Sequence, residues 1–253
     1  VDLSTFRVIA IVAILLVGLG GGLLPLWIGY SPRTQRFFSL GNALSAGIFL
    51  GAGLIHMLPD AERNLRGVVE EFPIASLLTI LGFLLVLFTE RVVSGGEAEL
   101  AEAKPGAYAY ILALVLSIHA FIGGIALGTE QSLAGMVVLF IAIVGHKWSE
   151  TFALGINLLR GGIPPAQTRS TIILLAVMTP IGIVLGSVLS AGLTGRTAQL
   201  VEGVFDALAA GTFLYVAILD VIGEEFALPG DRLVKFTLAG AGAAIMALVA
   251  VWA

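Results

Sequence analysis

Residues 140–159, FIAIVGHKWSETFALGINLL, are apolar enough to lie in a bilayer, yet His146, Lys147 and Glu150 stand near their middle. An ionisable group at such depth costs at least about 2.5 kcal/mol and normally faces a bundle interior or a wet cavity. On a helix, residues four apart share a face, so His146 and Glu150 project together while Lys147 is rotated by about 100° from His146. Other helices must cover this face, and a nitrogen beside a carboxylate inside a membrane is a candidate ion site.

The rest of the chain supplies those helices. Hydrophobic residues make up 58% of the 253 and charged residues only 12%, which excludes a soluble domain and indicates an all-α polytopic membrane protein. Apolar spans are expected at about residues 6–30, 37–58, 74–89, 107–129, a fifth holding 140–159, then 171–191, 204–222 and 233–252. Eight transmembrane helices thus form one domain over residues 1–253, its external solvent being the lipid bilayer, and nothing points to nucleic acid. The Gly18–Gly22 run follows no strand, so it reads as a close-packing helix face rather than a phosphate loop. Residues 90–106 are acidic, contain Gly and lack His, as expected of a short loop between helices 3 and 4. Residues 160–170, RGGIPPAQTRS, carry the breakers of another loop, and Pro180 should kink the sixth helix. The sequence starts at Val1 rather than Met, so trimming of a few residues is expected there.

Orientation follows from the loops. An even number of spans puts both termini on one side, with Arg33, Arg36, Arg91, Lys104, Arg160, Arg169, Arg232 and Lys235 opposite. The terminal side holds Arg7, Arg63, Arg66 and Arg196. The richer set is expected in the cytoplasm, which makes the 90–106 loop cytoplasmic and both termini extracytoplasmic.

Helices four and five must form an antiparallel pair, because few residues separate them. His119 and His146 each lie about 13 residues from that turn, about 20 Å below it and near mid-membrane. His119, His146 and Glu150 then make a three-ligand set for a divalent transition metal, with a further position open to water. With no Cys in the chain, thiolate ligands are excluded. His56 and Asp60 are also four apart, at the outer end of the second span, and form a possible entrance.

These segments carry a family resemblance. LSIHAFIGGIALG and VGHKWSETFALG resemble the fourth and fifth helices of the ZIP (Zrt/Irt-like) metal-ion transporters. GIFLGAGLIHMLPDA and DALAAGTFLYVAILD resemble the second and seventh. The resemblance implies a carrier moving zinc, iron or a similar divalent cation toward the cytoplasm. It further implies a homodimer in which one helix bundle slides against a scaffold, an elevator-type movement, and the cell membrane is the default location. Two His and one Glu suit zinc, ferrous iron, cobalt, nickel or cadmium, and manganese is a further candidate.

The departures from the family pattern carry information too. The fourth helix of the family usually reads His, then Asn or Ser, with Glu three residues later and Gly following, whereas here Ala120 follows His119 and Gly123 stands in place of the carboxylate; Lys147 occupies a position where some members have an acidic ligand. An ammonium repels a second dication and a missing carboxylate cannot bridge, so one metal is expected, with the second position at Ala120, Gly123 and Lys147 lost or altered. A non-transporting ZIP-like metal sensor is the alternative reading. An intramembrane metal-dependent hydrolase is a weaker one, because no HExxH motif is present and Glu150 would be consumed as a ligand, so no enzyme is expected.

Overall fold

Backbone polar groups in a bilayer must bond within their own segment, and these apolar runs all become helices. The computed structural model describes residues 2–29, 31–68, 72–93, 107–189, 196–227 and 230–251. Most of the 90–106 loop therefore lies outside the described residues. In chain order the helices are α1 (Leu3–Ile28), α2 (Gln35–Leu65), α3 (Ile74–Leu87), α4 (Ala107–Thr129), α5 (Leu133–Arg160) and α6 (Pro165–Leu189). α7 runs from Arg196–Tyr215 through Val216–Ile222 to Gly223–Ala227, and α8 is Arg232–Ala250. Among the described residues, seven helices are long and apolar enough to cross a membrane; Ile74–Leu87 is shorter and is prolonged by a π-helical turn at Phe88–Val93.

Several boundaries differ from expectation, each for a local reason. α2 does not stop at Leu58. It passes through a π-helical turn at Ala52–Met57 and takes Pro59 in the first turn of the segment that follows, where a missing N–H is tolerated. α7 likewise continues past Ile222 to Ala227, with Val216–Ile222 wound as π-helix. The loop expected at 160–170 contracts to 161–164. Gly162 adopts φ 70°, the Ile163 and Gly162 N–H groups donate to the Leu158 and Leu159 carbonyls, and Pro165 opens α6. This is a Schellman stop followed by a proline start, and it fixes the direction in which α5 ends at Arg160. α6 runs on through Pro180.

Packing sorts the helices into two groups. α1, α4, α5 and α6 pack together through the α4/α6, α1/α5 and α1/α6 contacts, and α2, α3, α7 and α8 through α2/α8, α3/α7 and α2/α7. Lipid removes most of the hydrophobic drive between helices, so close approach at small residues has to hold each group. On α4, Gly124 and Gly128 oppose Gly182 and Gly186 of α6; a Cβ on Gly182 would fall 2.2 Å from the Phe121 carbonyl oxygen. The Gly18–Gly22 run does form a packing face: a Cβ on Gly21 would meet the Trp148 carbonyl oxygen at 2.5 Å, and one on Gly22 would meet Ile172 at 2.4 Å. Outward-facing Leu16, Leu85, Val188 and Leu248 make the exterior apolar, as a lipid-facing surface requires.

Between the groups α2 packs on α5, α4 on α7 and α5 on α8. These junctions use side chains: Phe152 of α5 packs with Phe37 and Phe38 of α2, and Gly145 of α5 faces Met246 and Val249 of α8. The charged ends segregate as well. Arg36 pairs with Asp231, and Arg160 with Glu224 and Glu225, at one end. At the other, Arg7 donates to the Glu130 carbonyl and Arg196 to those of Asn64 and Arg66.

Candidate metal centre

The tight connection between α4 and α5 positions the centre. Ser132 caps α5, accepting from the Gly135 N–H at 3.0 Å, and the Glu130 carboxylate accepts from the Ser132 N–H at 2.6 Å. Arg7 ties the same turn to α1. The two helices therefore leave the turn side by side, and the His119 and His146 rings meet with centroids 5.8 Å apart.

Glu150 completes the group. Its Oε1 lies 3.4 Å from His119 Nε2 and 3.8 Å from His146 Nε2, and one ligand atom from each of the three residues fits within a 4.8 Å span. Donors about 2.0–2.1 Å from a tetrahedral ion are about 3.3 Å apart, so a small closure of the imidazoles would seat one. The side chains of His119, His146 and Glu150 are 10%, 4% and 1% exposed. Oε1 has no hydrogen-bond partner, leaving a buried carboxylate oxygen turned toward two imidazoles. Among the described residues this is the one group of His and carboxylate side chains placed to hold a metal.

Two features escaped the sequence reading. Lys147, treated there as rotated away from His146, reaches Glu150: Nζ donates to Oε2 at 2.9 Å, with both side chains 1% exposed. The i,i+3 spacing of Lys147 and Glu150 was the available cue. Its stem runs against α1, where a Cβ on Gly18 would touch Lys147 Cε at 3.6 Å. The second is Phe213 of α7. Fully buried, it packs on His119 at 4.7 Å and on His146 at 5.8 Å, backed by Phe49 of α2 at 5.2 Å. All three candidate ligands thus come from one helix group, and the other covers them with aromatic rings.

The remaining singled-out positions are distinct from this cluster. A Cβ on Gly123 would meet no atom within 4 Å, so the place of the family's carboxylate is open space, while Ala120 is buried. His56 Nδ1, in the π-helical turn of α2, and Asp60 Oδ2, just beyond it, form a pair at 3.1 Å; their side chains are 11% and 20% exposed, and Arg63 also pairs with Asp60. Asp220, on the π-helical part of α7, is buried outside the three-residue group.

A family model described as ZIP Zinc transporter matches residues 4–105 and 94–250. The chain is similar to Zinc transporter ZIP2 of Mus musculus, 31% identical over 96% of each chain. It is 30% identical to Zinc transporter ZIP2 of Homo sapiens, over 95% of this chain and 96% of the relative. Zinc transporter 3 of Arabidopsis thaliana is 28% identical, over 98% of this chain and 85% of the relative.

Proposed function

The chain belongs to the ZIP zinc transporter family, and we propose that it carries zinc into the cytoplasm through a single-ion site formed by His119, His146 and Glu150. It is an integral membrane protein and a metal-ion transporter rather than an enzyme. The observation carrying the site assignment is the buried Glu150 Oε1, without a hydrogen-bond partner and within 3.4–3.8 Å of two imidazole nitrogens. Neutral imidazoles supply lone pairs, the carboxylate supplies charge, and the set suits zinc; iron, cadmium, cobalt, manganese and nickel are secondary candidates.

A single ion suits the neighbouring residues. Lys147 holds the other Glu150 oxygen, and Gly123 supplies no ligand to a second cation. Eight membrane crossings with both termini extracytoplasmic suit the segregation of Arg36, Arg160, Arg232 and Lys235 to one end, which becomes the cytoplasmic one. The elevator reading is supported by where the close contacts fall. Backbone meets backbone inside α1/α4/α5/α6, whereas side chains fill the junction with α2/α3/α7/α8, which permits movement of a ligand-bearing group as a unit. A homodimer in the cell membrane completes the reading, drawn from the family resemblance.

Zinc flux into proteoliposomes, measured with zinc stoichiometry on the purified protein, tests it. Wild type should transport and hold one ion per protomer at this site, and His146→Ala/Glu150→Ala should lose both properties. Wild-type flux from that double variant would remove the site assignment.

A further inference from the structure

We propose that Arg160 is a releasable latch across the two helix groups, closing the ion route on the side of the metal centre where α5 ends; this rests on the bundle-movement reading above. Arg160 lies at the end of the ligand-bearing α5, in its last turn. Its Nη1 reaches Glu224 Oε2 at 3.1 Å and its Nη2 reaches Glu225 Oε1 at 2.7 Å, both on α7 of the opposite group. The Schellman stop at Gly162 sets the backbone from which this side chain projects. Residues 150 and 160 are separated by about 15 Å of helix, so the latch lies well below the metal centre.

The receiving carboxylate is built to survive release. Glu225 is fully buried, and apart from Arg160 the side chains that hold its carboxylate come from its own helix group. Ser39 Oγ donates to Oε2, Asn42 Nδ2 donates to Oε1 at 3.0 Å, and Lys235 Nζ stands 3.7 Å from Oε2. Removing one member of a buried ion pair is usually expensive because the other is left uncompensated. Here Lys235, Ser39 and Asn42 remain on Glu225 when Arg160 departs. Arg160 has a 17% exposed side chain and Glu224 a 41% exposed one, so both have access to solvent on parting. The contact is therefore directional enough to hold the groups in register and cheap enough to break during a transport cycle.

A file of polar residues leads inward from the latch. Along α2, Ser39, Asn42 and Ser45 recur every three residues on one helix face, running inward from Glu225. Asn42 Oδ1 and Ser45 Oγ are buried without hydrogen-bond partners, and so is Ser149 Oγ on α5, next to the ligand Glu150. Buried polar atoms without a protein partner call for water or an ion as theirs, which an ion route supplies. We read this polar file as the wall of the release route, shut at Glu225 while Arg160 is engaged.

The chain has no Cys, so a single introduced thiol reports access. Ser45→Cys should react slowly with a membrane-impermeant methanethiosulfonate applied to the Arg160 side, and adding Arg160→Gln, which removes a charged hydrogen bond from the closed state, should raise the rate roughly tenfold. Glu224→Gln, which keeps the Glu225 hub intact, should raise it by a smaller factor and covers the case that Arg160→Gln fails to fold. In the reverse direction, Arg160→Cys/Glu224→Cys joined by a short bifunctional thiol reagent should keep zinc binding but lose flux, with recovery on reduction. Unchanged Ser45→Cys labelling in both latch variants would overturn the latch while leaving the transport reading intact. Failure of the wild type to bind zinc would overturn the transport reading and would not alter the labelling result.

Discussion

Replacing Lys147 by Met should tighten zinc binding while destabilising the metal-free protein. The ammonium sits 2.9 Å from Glu150 Oε2, and at an effective dielectric of about 20 that attraction is about 6 kcal/mol before desolvation is subtracted. A zinc ion against Oε1 would lie about 5 Å from Nζ, and the same arithmetic gives a repulsion of about 7 kcal/mol. If only a fifth of that repulsion survives local relaxation, about 1.4 kcal/mol remains, a tenfold change in Kd. Met preserves most of the apolar stem that lies along α1 at Gly18, so packing changes little. The metal-free variant, however, leaves Glu150 without its partner, a loss in the range of about 3–5 kcal/mol for a broken buried pair. Zinc titration by calorimetry in detergent should therefore give a Kd at least about tenfold lower than wild type, and zinc should raise the unfolding temperature by more than it does in wild type. Tighter holding should also slow release at saturating zinc. A Kd unchanged or weakened by the substitution would refute the reasoning, because Lys147 would then not oppose the ion.

Gly123→Glu combined with Lys147→Asp should raise the zinc stoichiometry from one to two per protomer, since Gly123 faces open space and the opposing ammonium is gone; Gly123→Glu alone should mainly tighten the first ion. Two tightly held ions on wild type, counted by plasma emission spectrometry, would defeat the single-ion reading. If His56 and Asp60 form the entrance, His56→Ala/Asp60→Ala should raise the apparent KM for zinc uptake several-fold with little change at saturation, and an unaltered KM would return the pair to a helix-end role. Gly182→Ala should lower the unfolding temperature in detergent, with a destabilisation of about 1–3 kcal/mol, because its Cβ would fall 2.2 Å from the Phe121 carbonyl oxygen and backbone has to shift. A wild-type melting curve would show that α4 and α6 are not held by that approach.

The helices were legible because hydrophobic length is a one-dimensional property, and α4 begins and ends at the expected residues 107 and 129. The meeting of His119 with His146 was legible for the same reason: equal distances from a short turn leave two antiparallel helices little freedom. Their ends were less legible. π-helical turns at Ala52–Met57 and Val216–Ile222 carry α2 and α7 onward through residues that composition assigns to the membrane surface. Each of these turns packs against the opposing helix of the α2/α7 pair, a contact between segments far apart in the chain.

Charge partners expose the same boundary between local and tertiary information. Lys147 and Glu150 are three residues apart, a spacing at which helix geometry alone brings two side chains together, so their bond was present in the sequence. Glu225 could not, because within GEEFALPG it looks like any surface acid, and only the extension of α7 beneath Ser39, Asn42 and Lys235 buries it. Phe213 is similar, an aromatic in an apolar run until α7 is laid across the two imidazoles. What depends on one helix or one short turn is present in the sequence as spacing. What depends on how the second helix group faces the first is absent from any single segment. If the groups move as proposed, it is this second kind of contact, Phe213 on the ligands and Arg160 on Glu225, that must be made and broken in each cycle.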